Sequence, residues 1–437
     1  MKKDVFCGKI GRTHIYLAEY ADGETMKIIK NIWEYIRSFS VWFCLAVLVG
    51  AVSGVVGALF HKAIDFAGET RNGFPWIIYF LPVAGLIITA MYRISKEKLT
   101  TNSVLDCIRS KKATSPLLVP FIFVGAFISH LFGASVGREG AALQIGGGIG
   151  SLFGKALKLK KESVGTIIMC GMSGAFSAIF TTPVTAAIFA LEVVSVGHFK
   201  YFRFLPCMIS SSVAFMVTKL MGNHVLYYDT VSIPDIRVHY ILKVVAISIL
   251  VSLLSVVFCV LLKKSEHLFE KYIKNPYLIA FVGGLIIVVL TVIVGNNDYN
   301  GAGMDIIENA LAGKVFAAAF LLKLIFTAVS VGAGFKGGEI VPAFFVGACF
   351  GATVAPILGI DPSFAAAIGL ICMFCGISNC PIASLVMGIE LFGEAGIVYF
   401  AISCSVCFVM SGKFGLYSSQ KLVYSKNSVS QVDEYSV

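Results

Sequence analysis

Long runs without a charged residue dominate this sequence and restrict it to a membrane fold. The clearest runs cover residues 41–60, 244–262 and 278–294. Each is long enough to span a bilayer as a helix, which takes roughly 17–25 residues. With 57% hydrophobic and 14% charged residues, the chain is not a soluble domain. Because lipid-exposed segments must satisfy their own backbone groups, we predict an all-α polytopic membrane protein.

Positive charge is gathered in short segments that flank the apolar runs. Lysine and arginine cluster in the first 38 residues, in 93–112 and in 155–161, and the formal net charge is +10. Basic flanks of this kind mark the cytoplasmic side of a membrane protein. We therefore predict that the N terminus and both loops lie inside the cell. The charge reflects orientation in the lipid bilayer, and we expect no nucleic-acid partner.

Several short motifs recur in the same order in the two halves of the chain. They are Gly137, Glu139 and Gly147 with Gly337, Glu339 and Gly347, at a constant spacing of 200; Cys170-Gly171-Met172-Ser173 with Cys375-Gly376-Ile377-Ser378; and Pro183 and Glu192 with Pro381 and Glu390. Seven more residues separate the serine motif from the proline in the first half. Ordered matches predict an internal duplication. Short segments such as 100–108 and 305–311 are typical of broken helices that stop within the membrane.

These matches divide the chain into five parts. The predicted parts are a cytoplasmic leader (1–37), a first membrane repeat (38–220), a linker (221–238), a second membrane repeat (239–424) and a polar tail (425–437). The leader has mixed charge and no small-residue cleavage site, so we expect no cleavable signal peptide. We expect the polar tail to be disordered.

Glu139 is an ionisable residue inside an apolar region, which makes it a candidate functional residue. It precedes a predicted helix that begins near Gly140. A helix N-terminus presents unpaired N–H groups and a partial positive charge, and together they bind anions. A carboxylate there can occupy the anion position, and protonation would vacate it. We predict an anion path linked to protons; the alternative is that Glu139 only pairs with Arg138 or caps its helix.

Four other polar features lie at the ends of predicted helices or within an apolar run. Glu339 has the matching place in the second half and has the same two interpretations. The hydroxyls of 100–103 form an N-cap cluster, or alternatively line an inner anion mouth. Glu192 and Glu390 are expected to face the interface and water. We expect Lys323 to snorkel or to pair with a backbone carbonyl.

A membrane-embedded enzyme is the remaining class, and the sequence offers no catalytic motif for one. His-Glu-x-x-His and Gly-x-Ser-x-Gly are absent from the sequence. The 12 cysteines are better explained as small buried hydrophobic residues than as disulfides or metal ligands. We predict that the protein is not an enzyme and holds neither a cofactor nor a metal.

Three motifs resemble the chloride-channel (CLC) family of anion channels and anion/proton antiporters. They are Gly137-Arg138-Glu139-Gly140, Gly337-Gly338-Glu339-Ile340-Val341-Pro342 and Leu416-Tyr417-Ser418. The resemblance covers nearly all of 38–424. It implies two repeats of inverted topology with broken and re-entrant helices, a homodimer with one pore per subunit, and the bacterial cytoplasmic (inner) membrane.

The resemblance also implies roles for individual residues. Glu139 would be the gate; if the protein is a proton-coupled antiporter, we expect Glu139 to carry the proton with Glu339 as its partner. The implied anion-binding residues are Thr101, Asn102, Arg138, Gly140, Ala141, Ile340, Val341 and Tyr417. The transported species would be halide anions and protons.

Departures from the family pattern leave two transport hypotheses open. Ala141 replaces the usual proline, and 100–104 replaces Gly-Ser-Gly-Ile-Pro. Glu339 is similar to the fluoride-exporting subgroup and favours proton-coupled antiport of chloride or fluoride. Val193 stands where chloride/proton antiporters carry a second glutamate, and it favours a passive voltage- or pH-gated chloride channel.

Overall fold

A computed structural model describes residues 4–95, 100–110, 112–223, 225–228, 231–424, 426 and 431–437. Parts of the predicted leader (1–3), cytoplasmic loop (96–99, 111), linker (224, 229, 230) and tail (425, 427–430) lie outside these residues. The chain divides into two units, Met1–Ala46 and Val47–Val437. In the first unit, the described residues form the beginning of one long helix. The second unit contains every other element.

The described part of the first half contains eight α-helices. They are α1 (Asp4–Gly73), α2 (Leu81–Ile94), α3 (Thr101–Ser110), α4 (Leu118–Leu131), α5 (Glu139–Ala156), α6 (Lys161–Phe180), α7 (Pro183–Glu192) and α8 (Phe204–Leu220). Short 3-10 helices at Pro75–Phe80 and Tyr201–Arg203 precede α2 and α8. The short α3 and α7 are too brief to span a bilayer, as the sequence predicted for the region of α3.

The described part of the second half contains another eight. They are α9 (Val238–Tyr272), α10 (Pro276–Val294), α11 (Met304–Leu311), α12 (Ala319–Gly332), α13 (Ile340–Leu358), α14 (Pro362–Ser378), α15 (Pro381–Phe392) and α16 (Ile397–Met410), with a 3-10 turn at Glu394–Gly396. Across the described residues, seven helices are long and apolar enough to cross a membrane. These are Lys27–Gly73, Pro75–Ile94, Lys161–Phe180, Tyr201–Leu220, Val238–Tyr272, Pro276–Val294 and Ile340–Leu358.

Glycine contacts pack equivalent helix pairs in the two halves. A Cβ built on Gly146 would lie 2.1 Å from the carbonyl oxygen of Gly171, where α5 crosses α6. A Cβ built on Gly347 would lie 2.4 Å from the carbonyl oxygen of Gly369, where α13 crosses α14. Backbones come this close only where the side chain is a hydrogen atom, as at many membrane helix crossings. The two crossings therefore occupy the same place in each repeat.

This packing shifts the predicted correspondence by one residue. Gly347 corresponds to Gly146 and not to Gly147, so the spacing of 200 is wrong by one. The helix starts agree, because the N-cap of α5 is Arg138 and the N-cap of α13 is Glu339. Glu339 is therefore the counterpart of Arg138, and the two glutamates lie at successive positions of one shared helix start.

The ends of α6 and α14 correct a second match. Each helix ends on a residue in the left-handed conformation, Thr181 and Asn379, both with φ of 57°. A proline follows two residues later in each case. Gly171 of α6 and Gly369 of α14, the partner glycines of the two crossings, each lie 12 residues before that proline. The predicted pairing of 170–173 with 375–378 and the seven additional residues are wrong.

A small sheet joins the end of α7 to the C-terminal segment. It consists of β1 (Ser195–Val196), β2 (Lys421–Tyr424) and β3 (Gln431–Tyr435), with β1 parallel and β3 antiparallel to β2. The N–H of Val437 donates to the carbonyl oxygen of Lys413 at 2.8 Å, and the N–H of Gly415 donates back to Val437 at 3.0 Å. The predicted disorder of the tail is therefore wrong for residues 431–437, because β3 pairs with β2 and Val437 pairs with the loop before Tyr417.

Candidate functional site

The starts of α5 and α13 are joined by a pair of backbone hydrogen bonds. The N–H of Gly137 donates to the carbonyl oxygen of Gly338 at 2.6 Å, and the N–H of Gly338 donates to Gly137 at 2.5 Å. A Cβ built on Gly140 would lie 2.8 Å from the Cα of Gly338. Two helix N-termini, one from each half, therefore meet at one point. Their free N–H groups and partial positive charges add there.

The predicted backbone ligands occupy these two first turns. Gly140 and Ala141 lie in α5, and Ile340 and Val341 lie in α13, all buried. The first backbone hydrogen bond from residue i to residue i−4 is donated by Ala142 in α5 and by Ala343 in α13. The amides before that residue have no partner within their helix, which is the property an anion site requires.

The Glu139 side chain is buried at this meeting point, with 1% of its surface exposed. Its Oε2 accepts a hydrogen bond from the N–H of Arg138 at 3.0 Å, and its Oε1 lies 3.5 Å from Arg138 Nε. A Cβ built on Gly137 would lie 2.9 Å both from Glu139 Oε2 and from the Cδ of Pro342 in α13. The carboxylate therefore folds back over its own helix start and lies close to the start of α13.

Arg138 points away from the other predicted anion ligands. Its Nη1 donates to Asp65 Oδ1 at 2.7 Å, and the other oxygen of Asp65 lies 3.0 Å from His61 Nε2. Arg138 lines a cavity of about 480 Å³, which we call the outer cavity because it lies away from the basic flanks. Arg71 and His130 line the same cavity.

A second cavity, of about 980 Å³, reaches the region from the side of Arg93 in the predicted cytoplasmic loop. We call it the inner cavity. It brings together four of the predicted site residues, Thr101, Asn102, Glu339 and Tyr417. The remaining site residues lie at the helix starts or, for Arg138, in the outer cavity.

Side-chain contacts distinguish the four residues of the inner cavity. Asn102 Oδ1 accepts the N–H of Ser419 at 3.1 Å, so Asn102 holds the loop that carries Tyr417. Thr101 Oγ1 accepts a hydrogen bond from Gln144 Nε2 at 3.0 Å. The buried Tyr417 hydroxyl has no hydrogen-bond partner within the described part of the chain. It is free to donate to an anion in the cavity.

Sequence reasoning missed Gln144 and misjudged two glutamates. Gln144 lies one helical turn beyond Gly140, which was the available signal. Glu192 is buried and Glu390 is partly buried, and both carboxylates contact helix starts, which the sequence did not predict. The carboxylate of Glu192 accepts the N–H groups of Ile382 and Ala383 at 3.1 and 2.9 Å, at the start of α15.

Glu390 makes the equivalent contacts in the other direction. Its carboxylate accepts the N–H groups of Val184 and Thr185 at 3.0 and 2.9 Å, at the start of α7. Lys323 agrees with its prediction, because its Nζ donates to the carbonyl oxygens of Tyr299 at 3.2 Å and Gly301 at 2.7 Å.

Comparison with known sequences gives consistent matches. A family model described as a voltage gated chloride channel matches residues 96–412. The chain is 34% identical over 395 residues to a chloride/fluoride channel protein of Pseudomonas syringae pv. tomato, covering 88% of this chain and 87% of that protein. It is 23% identical over 393 residues to the H(+)/Cl(−) exchange transporter ClcA of Vibrio cholerae, covering 81% and 82%.

Comparison with solved structures confirms the predicted fold. A crystal structure of a CLC-type fluoride/proton antiporter matches with a TM-score of 0.85 and 29% identity, covering 88% of this chain and 98% of that chain. A slow cyanobacterial Cl−/H+ antiporter matches with a TM-score of 0.71 at 17% identity, covering 85% and 94%, and supports the fold alone. The protein is a multi-pass integral membrane protein with two inverted repeats, and it belongs to the voltage-gated chloride channel (CLC) family of channels and transporters.

Proposed function

We propose that the protein exchanges halide ions for protons across the membrane, with fluoride carried in preference to chloride. The observation that carries the proposal is the position of the Glu139 carboxylate at the joined starts of α5 and α13. Its neighbour Arg138 lines the outer cavity, and Glu339, across the Gly137–Gly338 pair, lines the inner cavity. A single buried carboxylate thus lies between the two cavities, where an anion and a proton can replace each other.

The contacts of the site residues suggest a separate role for each of them. Glu139 gates the anion path and carries the proton, because its ionised form occupies the place that an anion would take. Glu339 exchanges protons with the inner cavity. Tyr417, Thr101 and the free amides of the two helix starts hold the halide after it loses water. Fluoride is favoured as the substrate because the relative at 34% identity and the structure at 29% identity both carry fluoride in their names.

Passive chloride conduction is the second candidate, and Val193 supports it. Purified protein in liposomes separates the two candidates. Under an imposed halide gradient we expect halide efflux with stoichiometric proton uptake, faster for fluoride than for chloride. Halide efflux without proton uptake would overturn exchange in favour of a channel. Faster transport of chloride would overturn the substrate preference alone.

We further propose a homodimer in a bacterial cytoplasmic membrane. Large apolar side chains are exposed on α8, α15 and α16, including Met216 at 63% and Ile382 at 51% exposure. Lipid or a second copy must cover such a surface. The mass of the detergent-solubilised protein tests this point, and a monomer at all concentrations would contradict it.

A further inference from the structure

Arg138 lies between two carboxylates, one in the outer cavity and one at the joined helix starts. Its Nη1 donates to Asp65 Oδ1 at 2.7 Å, which is the length of a charge-assisted hydrogen bond. Its Nε lies 3.5 Å from Glu139 Oε1, which is too far for such a bond. The guanidinium is therefore bonded to Asp65 and only close to Glu139.

This arrangement leaves the Nε of Arg138 without a hydrogen bond. The atom is buried and has no hydrogen-bond partner within the described part of the chain. A buried N–H without a partner is unfavourable, and a movement of about 0.5 Å would bring this one within hydrogen-bond distance of Glu139. Asp65 opposes that movement, because it holds another nitrogen of the same guanidinium.

The position of Asp65 is fixed by the helix that carries it. Its Oδ2 lies 3.0 Å from the Nε2 of His61, one turn earlier in α1. Phe60 and Ile64, the neighbours of these two residues in the chain, belong to one buried cluster with Ala141 of α5. This face of α1 thus packs against the first turn of α5, and Asp65 is presented to Arg138 from a packed helix.

Glu69 is a second carboxylate on the same helix, and it differs from Asp65 in its contacts. It follows Asp65 by one turn, lines the outer cavity and is exposed. It makes no ion pair within 4 Å in the part of the chain that the structure describes. The contact with Arg138 is therefore particular to Asp65 and is not shared by the carboxylates of this cavity.

A full pair between Arg138 and Glu139 would hinder the gate. Charge-assisted hydrogen bonds favour the ionised form of a carboxylate and resist its displacement. We propose that Asp65 is a positioning residue for the gate, which holds the Arg138 guanidinium in the outer cavity and so leaves the Glu139 carboxylate able to leave the helix start. The proposal rests on the proposed role of Glu139 as a gate that opens on protonation.

Other titratable or charged groups also surround Glu139 and Arg138. They lie on α13, the loop before β2, the linker, α1, α4 and α11, and they are Glu339, Tyr417, Tyr228, Arg71, His130 and Asp305. None of them is altered in the variants below, so their effect on the gate is common to all of the proteins compared.

The pH dependence of halide efflux from liposomes tests the proposal. Full-length protein is reconstituted with sodium fluoride or sodium chloride inside, and the initial rate of efflux is measured over a pH series. In Asp65→Asn we expect the midpoint of the rate to move to lower pH by about one unit, because Arg138 then pairs with ionised Glu139. At the acidic end, where Glu139 is protonated in both proteins, the rates should be equal.

Three matched variants separate this effect from others. Glu69→Gln removes a carboxylate from the same helix and cavity and should keep the original midpoint. His61→Gln removes the titratable group beside Asp65 and should also keep it. Asp65→Glu restores the carboxylate and should return the midpoint to within a fraction of a unit of the original.

A double-mutant cycle tests whether Asp65 acts through Arg138. Asp65→Asn should cause no further shift in a protein that already carries Arg138→Gln. If Arg138→Gln does not fold, the contrast between Asp65→Asn and Asp65→Glu decides the question.

Several results would overturn the proposal. An unchanged midpoint in Asp65→Asn, with or without a lower rate at every pH, would leave Asp65 with a structural role only. An equal shift in Glu69→Gln would indicate a general effect of cavity charge, and an equal shift in His61→Gln would assign the pH response to the histidine. Efflux from the unaltered protein that does not depend on pH would refute the proton-dependent gate itself, and the role of Asp65 with it.

Discussion

Glu192 and Glu390 cap each other's helices. Each glutamate lies at the C-terminal end of one short helix and accepts two N–H groups from the start of the helix that carries the other. The pair is symmetrical, and it ties α7 to α15 through four charge-assisted hydrogen bonds. Buried N–H groups at helix starts need such partners, because water is not available to them inside a membrane.

Replacing either glutamate by glutamine should destabilise the protein. A glutamine offers one acceptor oxygen where the carboxylate offers two, so one N–H loses its partner. We expect Glu192→Gln and Glu390→Gln each to cost about 1–2 kcal/mol, as for the loss of a helix cap. Thermal unfolding in detergent measures the change. Glu394→Gln, at an exposed position near the end of α15, is the matched control and should be neutral.

The glycine crossing between α5 and α6 gives a second stability prediction. Gly146→Ala would place a methyl group 2.1 Å from the carbonyl oxygen of Gly171. Overpacking of this kind costs about 1–3 kcal/mol and should displace α5 from α6. Gly68→Ala in α1 meets no atom within 4 Å and should be neutral or stabilising. Equal unfolding temperatures for the two variants would contradict the close approach of α5 and α6 at Gly146.

The sequence was sufficient to predict the helix starts at Glu139 and Glu339, because Gly-rich breaks in apolar runs mark them directly. It was not sufficient to predict how the two repeats correspond. Identity matches favoured Gly147 and the serine motif, whereas the true correspondence depends on which glycine faces another backbone. That contact joins separate helices and leaves no mark on spacing within one of them.

The same reason explains what was missed in the site. Glu192 and Glu390 find their partners in the opposite half, so neither helix alone shows which N–H groups its glutamate contacts. Residues 431–437 have a polar composition that favours disorder, yet β3 pairs with β2 and the backbone of Val437 pairs with the loop before Tyr417. Long-range pairing decides both cases, and composition predicts neither.

A third prediction concerns the gate. Glu139→Gln keeps the size of the side chain but can no longer exchange a proton. In liposomes we expect proton uptake to fall to the level of protein-free vesicles, with loss of any pH dependence of halide flux. Glu69→Gln, an exposed carboxylate in the outer cavity, should leave coupling intact. Normal coupling in Glu139→Gln would remove this residue from the mechanism.

A fourth prediction separates binding from stability at two buried tyrosines. Tyr417→Phe removes a hydroxyl without a partner in the described part of the chain, so halide affinity should fall by about tenfold to a hundredfold while the unfolding temperature stays constant. Tyr399→Phe removes a hydroxyl that donates to the carbonyl oxygen of Asp235 at 2.8 Å, so it should cost about 1 kcal/mol of stability and leave affinity unchanged. The opposite pattern would exclude Tyr417 as an anion ligand.

The paired backbones of Gly137 and Gly338 also constrain biogenesis. The two residues are about 200 positions apart in the chain, so most of the protein must be synthesised before they can meet. Until then the backbone groups of Gly137 at the start of α5 lack the partner that they have in the folded protein. Contacts of such long range form late in folding. The ribosome-bound first half therefore needs protection by the insertion machinery, and a chain truncated before Gly338 should be recognised and degraded.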